Sequence, residues 1–248
     1  MENPYAQYQT ATIANATSLP AAAHRALALQ DFSLPPAGTE KELAILFLDI
    51  RNFTGLMESK PAKEVIQVVH NLFHLFNQII KNFQGTIVEV AGDSIYAIFG
   101  LGATIKDTAN QAWQASKMMF QTVSLFNEAF SNHYDGRPLE IGVGLHTGKV
   151  VIAQLELNSN QQLSVMGLPV NVASRLQSKT KELNNDMIVS EEAYSLLQKD
   201  RFNHEQRMIS LQGLSSPQKI RLLGKPYQNR FTADESEFDI DYVMAFSG

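Results

Sequence analysis

The chain has 248 residues, 44% of them hydrophobic and 18% charged, with a formal net charge of −5 and no cysteine. That length suits one globular domain with appendages, and the lack of cysteine excludes a disulfide framework or a thiolate metal site; with no signal-peptide pattern, a reducing cytoplasm is expected. No apolar run approaches the roughly 20 residues of a bilayer-spanning helix, so no membrane partner is expected. The acidic balance argues against a nucleic-acid surface, which needs a basic excess to displace counterions from phosphates.

Residues 1–40 hold an Ala-rich segment, "LPAAAHRALALQDF", closed by "SLPPAG". This reads as an N-terminal arm with a short helix and a Pro-rich linker. From residue 41 to 226 the pattern is that of a folded domain. "ELAILFLDI" is a buried strand, and "PAKEVIQVVHNLFHLFNQIIKNF" has apolar residues at Val65, Val69, Leu72, Phe76 and Ile79, the spacing of an amphipathic helix. "VEVAGDSIYAIFG" follows as two strands around a Gly92-Asp93 turn. A second helix is expected over "TANQAWQASKMMFQTVSLFNEAF", then two strands around a Thr-Gly turn in "LEIGVGLHTGKVVIAQLEL". The order strand, helix, strand, strand, helix, strand is the α+β, ferredoxin-like βαββαβ arrangement. A third helix at "LPVNVASRLQSKTKEL", a strand at "DMIVS", a helix at "EEAYSLLQ" and late strands at "RMISLQG" and "QKIRLLG" extend it. Residues 227–248, with "TADESEFDID", read as an acidic tail.

Asp49 closes an apolar strand, where a carboxylate costs several kcal/mol unless paired, hydrogen-bonded or bound to a cation. Asp93 taken alone is ordinary hairpin chemistry. If the first strand neighbours the hairpin, both carboxylates project from one end of the sheet, with open positions for substrate phosphates, which is how Mg²⁺ is usually held. "DIRNFTG" turns from the strand end towards a helix, so the backbone N–H groups of Asn52, Phe53 and Thr54 are candidates to cradle phosphates. No G-x-x-x-x-G-K-[ST] loop is present. Asn171 and Arg175 lie four apart and share a helix face. His146 reads as a hydrogen-bonded structural residue, and no zinc site is expected from the six histidines.

The segments "FLDIRNFT", "VAGDSIYAIFG", "IGVGLHTGKVV", "GLPVNVASRL" and "DMIVSEEAY", in this order, resemble the class III nucleotidyl cyclases, the adenylyl and guanylyl cyclases, from about Leu43 to Leu223. The stretch "QSKTKELNND" is similar to bacterial members. The resemblance implies a cyclase homology domain that converts a nucleoside triphosphate to a 3′,5′-cyclic nucleotide and pyrophosphate. It implies two Mg²⁺ or Mn²⁺ ions on Asp49, Asp93 and the backbone carbonyl of Ile50, activating the ribose 3′-hydroxyl and holding the terminal phosphates. It assigns Arg175 to the charge developing on the α-phosphate and Asn171 to the ribose. It further implies a homodimer in which the aspartates come from one protomer and the Asn/Arg helix from the other.

Two departures from the family pattern stand out. Where many members carry a basic residue for the terminal phosphates, this chain has Asp186, which leaves Lys179 or Lys181 as the substitute, Lys181 being the preferred one. At the base-recognition positions, adenylyl cyclases typically carry Lys and Asp or Thr, and this chain has Glu89 and Ser164. An ionised Glu only accepts hydrogen bonds, which suits the N1–H and N2 amine of guanine, while its O6 accepts from the Ser164 hydroxyl. GTP is therefore the favoured substrate. Uracil N3–H and the cytosine amine also satisfy Glu89, as in pyrimidine cyclases of anti-phage systems, and ATP ranks last. A cyclase-like nucleotide-binding module without turnover is the alternative of a different class.

Overall fold

In a computed structural model the described residues are 38–130, 138–157, 160–198 and 204–228. The expected N-terminal arm and most of the acidic tail lie outside them. The elements run β1 (Thr39–Ile50), α1 (Phe53–Ser59), α2 (Ala62–Asn82), β2 (Gly85–Ala91), β3 (Ser94–Phe99), α3 (Ile105–Phe130), β4 (Ile141–Leu157), β5 (Asn160–Met166), α4 (Leu168–Glu182), β6 (Met187–Ser190), α5 (Glu191–Leu196), β7 (Glu205–Ile209) and β8 (Gln218–Leu222). The sheet order is β2-β3-β1-β4-β6-β8-β7, with β5 paired to β4. β1, α2, β2, β3, α3 and β4 form the expected ferredoxin-like unit. Among the described residues no helix is long and apolar enough to cross a membrane.

β1 is apolar from Leu43 to Leu48 because both its faces are covered there. Ala44, Leu46, Leu48 and Ile50 face the core beneath α2 and α3, packing with Phe76, Ile80 and Met119. Leu43 and Ile45 face the opposite core, with Val150, Ile152, Val165 and Ala173 of β4, β5 and α4. The period of two then puts Asp49 on the α4 side of the sheet. α2 follows its apolar periodicity, burying Val65, Val69, Leu72, Phe76 and Ile79. α3 begins three residues before the expected Thr108 because Thr104 and Asp107 cap it reciprocally: Thr104 Oγ1 donates to Asp107 Oδ2 at 2.6 Å, and Asp107 N donates to Thr104 Oγ1 at 3.3 Å.

The structure corrects three expectations. The Thr147-Gly148 pair is not a turn, since β4 runs unbroken through it and pairs Thr147 with Ala44 and Gly148 with Leu43. Glycine is needed there for close approach, because a Cβ would meet Pro169 Cγ at 2.5 Å and Cβ at 2.8 Å. The partner strand is instead β5, whose polar sequence "NQQLSVM" carries no alternation that marks a strand. Finally, Tyr227, assigned above to the tail, is buried at 8% exposure and belongs to the folded domain.

Gly148→Ala is expected to displace the rigid Pro169 ring and the start of α4, lowering stability by about 1–3 kcal/mol. Equilibrium denaturation of the variant measures this, and an unchanged midpoint contradicts the packing.

Candidate active site

The β1–β3 register pairs Asp49 with Ser94, directly after the Gly92-Asp93 turn. Gly92 has φ +58, the left-handed conformation that lets the two-residue loop close. Ser94 Oγ donates to Asp49 Oδ2 at 3.0 Å, and Ile50 N donates to the Asp93 carbonyl at 3.1 Å. The hairpin tip and the β1 end are thereby locked together, and the two carboxylates converge. Burial raises the Asp49 carboxyl above its ordinary value, opposed by Lys181, Arg51 and the Ser94 hydrogen bond. Burial and then the neighbouring Asp49 charge push Asp93 up to about 6. Among the described residues neither carboxylate has an ion-pair partner. Two half-buried hard-oxygen donors without an ion-pair partner are the chemistry that Mg²⁺ or Mn²⁺ takes, with substrate phosphates completing the shell.

Lys181, in the last turn of α4, acts electrostatically on both aspartates. Lys179 is engaged by Glu182 instead. Asp186 points elsewhere, accepting from Lys225 N at 2.7 Å. Asn52 caps α1 from a left-handed backbone, φ 53, a conformation that asparagine tolerates better than most residues. Its side chain fills the space beside Gly55, and Phe53 packs against the core. Thr54 is exposed one residue on.

Asn171 and Arg175 lie earlier on α4, and Arg175 is six residues before Lys181, a rise of about 9 Å. The Arg175 guanidinium lies over Gly213, whose added Cβ would stand 3.2 Å from Nη2. Within one chain, then, Arg175 is directed at Gly213 and is not among the groups that act electrostatically on the aspartates. Val172 and Leu176 anchor this face of α4 on β6 and β8 through Ile188, Ile220 and Leu222.

The register of β2 explains an acidic residue inside a strand. The ladder runs Gly85 to Phe99, Thr86 to Ile98 and Ile87 to Ala97, then shifts so that Glu89 faces Tyr96. Without this bulge at Val88, Glu89 would pair with Ile95 and point into the α2–α3 core. The bulge puts Glu89 on the α4 side. There Tyr96 stacks on Phe47, with ring centroids 4.6 Å apart, and its hydroxyl donates to the Val165 carbonyl at 3.3 Å, one residue from Ser164. β2 and β5 contact each other, but the β4–β5 register pairs Val165 with Ile152 on the α4 side and Ser164 with Ala153, so Ser164 faces the opposite way and is not brought to the face that carries Glu89. Burial, with a contribution from the Glu89 charge, raises the Tyr96 hydroxyl above its ordinary value.

His146 has the structural role its position suggested. Nδ1 lies 2.8 Å from Ser190 Oγ, and burial lowers the ring to about 4 despite Glu192, so it is neutral at pH 7.

Sequence reasoning missed two residues at the site, Tyr96 and Arg51. Arg51 is 7% exposed and its guanidinium lies over the Tyr227 ring, 5.1 Å from the centroid. Its position next to the Asp49-Ile50 pair was the available signal.

A ferredoxin-like sheet carrying paired carboxylates at one strand end, beside a helix bearing Asn and Arg, defines a nucleotide-cyclase type of domain. Residues 36–223 match the adenylate and guanylate cyclase catalytic domain, and the chain belongs to that family. Adenylate cyclase 1 of Rhizobium meliloti is 30% identical over 157 residues, which are 62% of this chain and 23% of that protein; the match thus spans about a quarter of the relative. Among solved structures, the guanylyl cyclase Cya2 superimposes with TM-score 0.67 at 25% identity, covering 77% of this chain and 96% of that one. The adenylyl cyclase CyaB from P. aeruginosa does so with TM-score 0.67 at 26% identity, covering 78% and 98%.

Because Asp93 is raised from 3.8 to about 6, its pH dependence has a defined sign. Below the unfolded value both states are protonated; as pH rises from about 4 to 6 the unfolded chain ionises first, so native stability falls across that window. In the presence of chelator, Asp93→Asn is therefore expected to raise the thermal midpoint at pH 7.5 by roughly 2–4 °C and to leave it unchanged near pH 3.5. A variant less stable than wild type at pH 7.5 contradicts this.

Proposed function

We propose that the protein is a nucleotidyl cyclase that uses divalent cations and is active as a homodimer, with GTP as the favoured substrate. The carrying observation is the pair of half-buried carboxylates, Asp49 and Asp93, locked together at one strand end and, among the described residues, with no ion-pair partner. Asp49, Asp93 and the Ile50 carbonyl would hold Mg²⁺ or Mn²⁺, which when bound would supply Lewis-acid activation of the ribose 3′-hydroxyl and a counter-charge for the phosphates. Asp49 and Asp93 orient the donor oxygens. Lys181 adds positive charge where the terminal phosphates lie, in place of the family's basic residue at position 186. The N–H groups of Asn52, Phe53 and Thr54 are assigned to phosphate oxygens.

The 3′-oxygen attacks the α-phosphorus, the bond to the bridging oxygen breaks, and pyrophosphate departs. Arg175 stabilises the charge that grows on the α-phosphate, and Asn171 orients the ribose. That Arg175 is directed at Gly213, while Lys181 and Arg51 are the cations acting on the aspartates, supports a site completed by a second copy. Met166 and Leu168, at 41% and 58% exposure, flank the start of α4 and offer apolar surface on that side of the sheet.

Glu89 accepts from the base N–H groups, which supports guanine over adenine. The bulge favours this reading, because it is what turns Glu89 away from the α2–α3 core and to the α4 side of the sheet. Incubation with ATP, GTP, CTP and UTP separately, in Mn²⁺ and with products identified by mass, is expected to give cyclic GMP and pyrophosphate as the main products. Glu89→Lys is expected to lower GTP turnover by at least about tenfold relative to ATP, the loss of one or more charge-assisted hydrogen bonds. An unchanged ratio contradicts the base assignment, and no turnover of any triphosphate contradicts the enzymatic one.

A further inference from the structure

Arg51 is a buried guanidinium close enough to Asp49 and Asp93 to act on both electrostatically. Yet its Nε and Nη1 are buried with no hydrogen-bond partner, and among the described residues it forms no ion pair. A buried charge next to two carboxylates ordinarily pairs with one of them, because an uncompensated charge is strongly destabilising. Here the planar cation lies over the ring of Tyr227 instead.

Tyr227 is held there by a strap. Each non-proline backbone amide from residue 224 to 228 is taken by a side-chain acceptor: Gly224 N by Asn185 Oδ1 at 3.0 Å, Lys225 N by Asp186 Oδ1 at 2.7 Å, Tyr227 N by Asn184 Oδ1 at 3.2 Å and Gln228 N by Glu140 Oε1 at 2.7 Å. Asp186 also donates its own amide to the Lys225 carbonyl at 2.9 Å. The Asn184-Asn185-Asp186 run is thus a clamp, which accounts for an acidic residue where the family pattern favours a basic one. The Tyr227 hydroxyl is wedged against the Gly142 backbone beside Thr180; a Cβ at residue 142 would meet the two oxygens at 2.7 and 2.6 Å. Gly142 is the β4 partner of Asp49. The strap therefore reaches the back of the carboxylate pair itself.

We propose that Tyr227, fixed by the strap, is a positioning residue that holds the Arg51 guanidinium out of ion pairing with Asp49 and Asp93, keeping the carboxylates available to divalent cations. The inference rests on the assignment of those carboxylates as cation ligands. Without the ring, Arg51 is free to close on an aspartate and compete with the incoming cation.

The test is Mn²⁺ binding to the full chain without nucleotide, followed by the loss of free Mn²⁺ signal in electron paramagnetic resonance. Tyr227→Leu is expected to weaken binding by about fivefold or more, the effect of one new ion pair, while Tyr227→Phe, which keeps the ring, stays within about twofold of wild type. Arg51→Met, which leaves the strap intact, binds at least as tightly as wild type, and Arg51→Met/Tyr227→Leu matches Arg51→Met rather than Tyr227→Leu. Wild-type binding in Tyr227→Leu, weak binding in Arg51→Met, or a double variant as weak as Tyr227→Leu overturns the proposal. Asp49→Asn separates the two levels: if it loses Mn²⁺ affinity while folded Tyr227→Leu does not, only the role of Tyr227 fails, and if it keeps wild-type affinity, the cation assignment fails with it.

Discussion

Two half-buried carboxylates forced together are the constraint on which the rest of this structure depends. Asp49 sits at the end of a strand covered on both faces, and Asp93 at the tip of the hairpin beside it. The antiparallel register of β1 and β3 leaves them nowhere else to go. Their mutual repulsion and desolvation oppose folding in the absence of a cation. The sheet tolerates the strain because the apolar layers on both sides, anchored by residues such as Phe76, Phe99, Leu46 and Ile45, are fully buried. Stability is thus spent at one corner of a well-packed sheet, which is a common signature of a site built for a ligand.

The surroundings of that corner are arranged by small departures from regularity. The bulge at Val88 turns Glu89 to the side of the sheet that carries Asp49, Tyr96 and Val165. The left-handed Asn52 breaks β1 away into α1 directly after the carboxylate. β4, unbroken across Gly148, provides the long rail on which α4 and β5 are mounted, and Pro169 fits against it only because residue 148 has no Cβ. Each feature moves a polar group by one face or one turn. Together they assemble a charged site on a sheet whose other positions are apolar.

Much of this was legible in the sequence because it is local. The unbroken apolar run of β1, the helical spacing of α2 and the Gly-Asp turn carry their own periodicities, and a strand-end Asp beside a hairpin-tip Asp implies convergence once the strands are neighbours. What was not legible is non-local or unmarked. The bulge has no glycine to announce it, and β5 is polar and lacks alternation. Thr147-Gly148 looked like a turn because glycine's two uses, positive φ and close approach, are indistinguishable without the partner in space. The strap depends on side chains at 140 and 184–186 meeting backbone some 40 to 90 residues away, so Asp186 read as a departure when it is a clamp.

The central claim is that a complete site takes Asp49 and Asp93 from one copy and Asn171 and Arg175 from another. Mixing Asp49→Asn with Arg175→Ala, each inactive alone, tests it most directly. In a two-fold dimer each heterodimer carries one doubly damaged and one intact site, so an equal mixture allowed to exchange subunits is predicted to recover about a quarter of wild-type cyclase activity. Heterodimers that form, as seen by native mass spectrometry, yet remain inactive would contradict the account.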